Sequence, residues 1–229
     1  MSMCNRSRLL YINLLVAVTC FLLAVLAGCR QSKEPVSYEN LCGLPREQMG
    51  VMSKEDVRLW LEEEYDQDVT PNVTADNVSI TTGLMGEKGS VTAYLRDGRL
   101  LHIEFQEIEN GPTFDQIVDG LGAPEMIKWD LQTYGGHVVY FLGLDYPGIG
   151  VSVEGWREMS ARELSRPAEE WTARLRENIQ VERISCYEPH PSMEEVLKEV
   201  YGFSHDALQL QMSRRMPWPG FEALVPLEN

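Results

Sequence analysis

Asp97-Gly98 constrains the fold of this chain more than any other feature. The pair stands between two strand-like runs, residues 91–95 and 100–108, rich in β-branched, aromatic and leucine residues. A two-residue hairpin turn needs positive φ, which Asp-Gly supplies at little steric cost. Strands joined so closely must run antiparallel, because a parallel crossover takes a dozen residues or more. A second hairpin is expected from residues 137–146 and 149–153, with Pro147-Gly148 fitting the central pair of a type II turn. Residues 179–187 read as a further strand.

Helices are signalled by caps followed by apolar stripes. Ser53-Lys-Glu-Asp56 is a capping pattern, and Val57, Trp60, Leu61 and Tyr65 follow at i, i+3, i+4 and i+8. Glu62, Glu63 and Glu64 fall off that stripe and should face solvent. Pro71, Asn72 and Asn77 end this helix and open an extended region. Thr113 caps a second helix, with Gln116 three residues on and Phe114, Ile117, Val118 and Leu121 sharing a face. Gly120, Gly122 and Pro124 should end it. Residues 156–176 carry helix formers, with Pro167 near a start and Trp171 and Leu175 one turn apart. A last helix is expected near Ser192, with Glu195 completing its capping box and Met193, Val196, Leu197 and Val200 on one face. Residues 213–229 hold Pro217, Trp218, Pro219 and Pro226 and read as an extended tail packed through Trp218 and Phe221. The order points to an α+β fold: an antiparallel sheet built from hairpins, with three to four amphipathic helices packed on it.

The N-terminus reads differently. Residues 9–26 are almost uninterrupted apolar, broken only by Tyr11, Asn13, Thr19 and Cys20, and Arg6 and Arg8 precede them. A basic flank keeps such a terminus cytoplasmic. Leu26-Ala27-Gly28-Cys29 closes the run, and it resembles the lipobox of bacterial lipoproteins. The resemblance implies cleavage between Gly28 and Cys29, a diacylglycerol on the Cys29 sulfur, and anchorage through palmitate-type acyl chains. An uncleaved signal anchor is the alternative, since a run of about 18 residues just spans a bilayer. The expected organisation is a signal peptide over 1–28, a lipidated N-terminus and tether over 29–45, and a single α+β domain with a Pro-rich tail over 46–229. The polar stretch 30–41 reaches at most about 40 Å. The address implied is the extracytoplasmic face of a bacterial membrane, plasma membrane or outer membrane. Arg30 follows Cys29, so the Asp that signals inner-membrane retention in some two-membrane bacteria is absent.

Charge narrows the partners. Without Arg6 and Arg8, 18 of the 20 basic residues remain against 35 acidic ones, a formal charge of −17. Such a chain repels nucleic acid and anionic lipid surfaces and favours a partner with a basic surface. Cysteines agree with export. Cys4 and Cys20 lie in the leader and Cys29 is the lipid site, leaving Cys42 and Cys186. In a compartment that permits disulfides these two have one intramolecular pairing, Cys42–Cys186; two separate buried thiols are the alternative.

Motifs for chemistry are sparse. Gly83-Leu-Met-Gly86-Glu-Lys88-Gly89-Ser90 has the flavour of a phosphate loop, but Gly89 separates Lys88 from Ser90 and a turn is the better reading. Asp66, Asp68 and Thr70 imitate a calcium loop, yet Pro71 stands where Gly must turn and Asn77 where Glu must close it. Asn72 and Asn77 open glycosylation sequons, a weak motif beside a bacterial lipobox. None of His102, His137, His190 and His205 has metal-ligand spacing, so neither metal nor cofactor is expected, and no catalytic residue is assigned. His102 should be solvent-facing or paired across strands. His137 stands at a strand start. Glu104, Glu107 and Glu109 do acid–base work only if buried together. Tyr94, Tyr134, Tyr140, Phe141, Tyr146 and Trp156 form either a core set or an aromatic face for a partner.

Thr113-Phe-Asp-Gln-Ile-Val-Asp-Gly-Leu-Gly-Ala-Pro124, a short helix ending in Leu-Gly-x-Pro before a sheet, resembles the small outer-membrane-assembly lipoproteins of the BamE/SmpA type and the β-lactamase-inhibitor-like modules. The likeness covers those residues alone and carries over no functional residue. The expected function is a non-catalytic binding or scaffolding module of the cell envelope. A membrane-tethered hydrolase with dispersed site residues is the alternative, and a transporter's solute-capturing lipoprotein is disfavoured by the missing βαβ repeats.

Overall fold

The computed structural model describes residues 36–64, 71–81, 89–106, 108, 111–134, 137–160, 179 and 181–221. The segments around Cys29, Asp66, Lys88, Glu107, Glu109 and Trp171 lie outside them. Among the described residues no helix is long and apolar enough to cross a membrane.

The fold class is the expected one: α+β, with an antiparallel sheet. Among the described residues nine strands pair in the order β1-β2-β3-β4-β8-β7-β6-β5-β9. They are β1 (Asn72–Val73), β2 (Asn77–Thr81), β3 (Ser90–Arg96), β4 (Arg99–Gln106), β5 (Met126–Tyr134), β6 (His137–Tyr146), β7 (Val151–Met159), β8 (Arg183–Tyr187) and β9 (Arg215–Pro217). The β3–β4 hairpin turns at Asp97 and Gly98, with φ of 51° and 74°. The β6–β7 connection departs from the type II expectation. It is a four-residue loop in which Gly150 N–H bonds Tyr146 O, and the positive φ falls on Gly150 rather than Gly148. Gly150 is required there: a Cβ would stand 2.2 Å from Tyr187 O. β7 runs on to Met159, where helix formers were expected from 156. The strand survives because Ser152, Glu154 and Trp156 alternate with Val151, Val153 and Gly155, the period of a sheet.

Helices lie on both faces. α1 (Tyr38–Cys42), α2 (Lys54–Glu64) and α3 (Phe114–Leu121) pack on the main core, with Leu41, Val57, Leu61, Phe114 and Ile117 buried. The caps of α2 and α3 are those the sequence signals. Ser53 and Asp56 bond reciprocally, and Thr113 and Gln116 form a full capping box. α1 corrects the tether. The folded body starts at Val36, because Ser37 caps a short helix that buries Tyr38, Leu41 and Cys42. Gly120 is not a terminator either. It lies inside α3, where a Cβ would stand 2.3 Å from Val36 O, so it makes room for the entering chain. Cys42 at the end of α1 is joined to Cys186 in β8 by a disulfide, with Cα atoms 5.9 Å apart.

On the opposite face α4 (Met193–Glu195, continued by the π turn Val196–Val200) and α5 (His205–Ser213) form a smaller cluster with Tyr187. Ser192 caps α4, and the expected stripe of Met193, Val196, Leu197 and Val200 is buried. β5 and α5 have no counterpart among the expected elements. The tail after α5 adds a short edge strand, β9, and then packs Trp218 edge-on against Phe221 at 4.8 Å.

Candidate functional site

Strand alternation sends one set of side chains into the main core and the other to the face under α4 and α5. That second set is polar. Register aligns it in two rows. Glu104 lies opposite Ser185, Ser185 opposite Ser152, and Ser152 opposite Asp145. One step along, Arg183 lies opposite Glu154, Glu154 opposite Gly143, Gly143 opposite Lys128, and Lys128 opposite Arg215. The rows floor a cleft of about 160 Å³, whose other wall includes Met193, Leu197 and Phe203 from the α4–α5 segment.

The floor is a ladder of charge. Lys128 Nζ reaches Glu154 Oε1 at 3.5 Å across the intervening β6, a contact possible because Gly143 has no side chain between them. Arg183 Nη1 donates to Glu154 Oε2 at 3.1 Å, and its Nε stands 3.6 Å from Glu104 Oε1. That Nε is buried with no acceptor at hydrogen-bond distance among the described residues. At one end the network closes on itself. Arg215 Nε donates to Asp145 Oδ2 at 2.8 Å, both side chains being over nine-tenths buried. Ser152 Oγ donates to Asp145 Oδ1 at 2.7 Å and lies 2.8 Å from the Tyr187 hydroxyl, which therefore acts as donor. Burial pushes the Tyr187 and Tyr201 phenols well above their ordinary range.

This arrangement holds charge and orients donors. Ser152 engages a carboxylate already committed to Arg215, whereas an activated serine needs an adjacent general base free to take its proton. His102 meets the region through ring contact with Tyr201, 5.2 Å between centroids. It is buried rather than solvent-facing, and its cross-strand partner is Tyr94, stacked at 4.1 Å. His137 is exposed and pairs with exposed Glu158 across β6 and β7. The aromatic set divides. Tyr140 and Tyr146 point into the main core, while Tyr94, Phe141 and Trp156 belong to the polar face. Cys42 and Cys186 lie in the core, away from the cleft. Among the described residues, no group of three His, Cys, Asp or Glu has metal-binding geometry. No protein-family model matches this chain, and neither a curated protein nor a solved structure matches it significantly.

Of the cleft residues, sequence reasoning singled out only Glu104 among the charged ones. Lys128, Asp145, Glu154, Arg183 and Arg215 carry no motif. Their signal is alternation: Lys128, Asp130 and Gln132 in β5, Ser152 and Glu154 in β7, and Arg183 and Ser185 in β8 each stand two places apart, which marks a second, polar face.

His102 gives the site a pH dependence. Burial, and secondarily the charge of Arg96, pushes its imidazole down to about 4 from an ordinary 6.5. The folded state thus prefers neutral His102, and the unfolded chain binds the extra proton between those values. Stability is full above pH 6.5 and falls as pH drops, by about 3 kcal/mol at pH 4 from this group. Urea midpoints for wild type should therefore fall between pH 7 and 4.5 by more than those of His102→Phe, which keeps the stack on Tyr94. Parallel pH profiles would refute the assignment.

Proposed function

We propose that this protein is a lipid-anchored, extracytoplasmic binding module of a bacterial cell envelope. The observation that carries the binding reading is the cleft, a concave site whose charges are held in place by one another beside an apolar wall. Sites that bind combine a few oriented polar groups with apolar lining. The address rests on Leu26-Ala27-Gly28-Cys29, and the buried disulfide is at home in an oxidising compartment. The acidic excess supports a partner with a basic surface, met by electrostatic attraction that weakens with salt.

The test uses the full detergent-solubilised lipoprotein. It should capture a discrete envelope component in low salt and release it as salt rises. Glu154→Lys, which reverses the centre of the ladder, should lower that recovery at least tenfold. Cys29→Ser should leave the precursor uncut and without acyl chains. Equal recovery by Glu154→Lys would remove the cleft from the reading. Mass spectrometry of membrane-bound protein with an unmodified Cys29 would remove the anchor.

A further inference from the structure

The charge pattern of the cleft selects a class of small ligand. We propose that the cleft binds a free apolar α-amino acid, with its carboxylate on Arg183 and Lys128, its ammonium on Glu104 and Glu154, and its side chain against Met193 and Leu197. The inference rests on the binding reading above and deepens it.

Charge balance is the first argument. Lys128 and Arg183 face Glu104 and Glu154, while Arg215 and Asp145 are closed on each other at 2.8 Å. A simple anion would meet as many carboxylates as cations, and a simple cation would meet the converse. A ligand with both charges on one carbon satisfies both sides. The second argument is spare bonding capacity. Charge-assisted hydrogen bonds settle at roughly 2.7–2.9 Å. Lys128–Glu154 at 3.5 Å and Arg183–Glu104 at 3.6 Å are longer, so Lys128 Nζ and Arg183 Nε can take a further acceptor. Glu104 also accepts from Gln106 Nε2 and Glu154 from Arg183 Nη1, and a ligand ammonium would use the remaining lone pairs of those carboxylates. The buried Nε–H of Arg183 has no acceptor at hydrogen-bond distance among the described residues, and a ligand carboxylate would supply one. Buried donors without acceptors are uncommon. Size is the third argument. A cavity of about 150 Å³ holds a benzene-sized molecule. At about 160 Å³ the cleft suits one small amino acid and is tight for a dipeptide.

Calorimetry on the detergent-solubilised lipoprotein tests this with L-leucine, N-acetyl-L-leucine, L-leucinamide, leucyl-leucine and inorganic phosphate. Leucine should bind, and each of the other four should bind at least tenfold more weakly. Glu104→Gln and Lys128→Met should each lower leucine affinity at least tenfold while circular dichroism stays unchanged. Phosphate or N-acetyl-L-leucine binding as tightly as leucine would make this an anion site and overturn the proposal. Equal or tighter binding of leucyl-leucine would make it a peptide site. No heat from leucine at millimolar concentration would overturn it outright. In that last case, continued capture of an envelope component would leave the binding-module reading standing.

Discussion

Replacing Cys42 and Cys186 together by alanine is expected to lower the free energy of unfolding by about 5 kcal/mol. The bond closes a loop of 144 positions, and chain entropy makes long closures the most effective. The cost on the folded side falls on α1. A five-residue helix has no independent stability, and without the bond only its buried face holds it to β8. In a chain of this size the loss corresponds to a fall in melting temperature of roughly 10–20 °C. Urea unfolding of oxidised, reduced and doubly substituted protein measures it. Reduced wild type and the double alanine variant should coincide, well below the oxidised protein. A difference under about 1 kcal/mol would mean that the unfolded chain is already compact around this pairing.

Much of the fold was legible where local chemistry decides the structure. Asp97-Gly98 can hardly serve anything but a tight turn. Ser53, Thr113 and Ser192 each precede an apolar stripe, and all three start helices. The misses have physical causes. α5 presents only Leu208 as a buried residue, so its sequence lacks a stripe to read. α1 is too short for periodicity, and its stability comes from Cys42 and the core rather than from propensity. β5 was readable in principle, since Ile127 and Trp129 alternate with Lys128 and Asp130. Its polar positions disguised it, because they serve a second face that α4 and α5 only partly cover.

The site was far less legible than the fold. Alternation can say that Glu154 and Arg183 leave the core, but not that they meet. They meet because β8 enters between β4 and β7, bringing Glu104 opposite Ser185 and Glu154 opposite Arg183. That register is set by side chains on the other face, where Ile184 and Cys186 fit the core beside Phe105 and Val153. The site is thus a by-product of core packing, and no short stretch of sequence encodes it.

Asp145→Ala is expected to destabilise the protein by about 3–5 kcal/mol, the range for removing one partner of a buried ion pair. Arg215 is 7 % exposed and Asp145 5 %, so the stranded guanidinium has little access to water. Ser152 loses its acceptor at the same time, and Tyr187 loses the group that orients Ser152. Replacing both charges, as Asp145→Asn with Arg215→Met, should cost less than the sum of the single changes, since neither charge is then left unpaired. The coupling in that double-mutant cycle should exceed 1 kcal/mol. The damage should also be local in a definite way. Arg215 begins β9, and its Nη1 holds Gln211 O at the end of α5 at 3.0 Å. Losing the pair frees β9 from β5 and loosens the segment that carries the apolar wall of the cleft. Hydrogen exchange should therefore quicken at Ile127, Met216 and Leu208 before the β3–β4 hairpin is affected. Uniform quickening across the sheet would mean that the pair supports the whole core rather than the wall. A change under 1 kcal/mol would mean that water reaches Asp145, and the cleft would then owe its shape to Met193, Leu197 and Tyr187 alone.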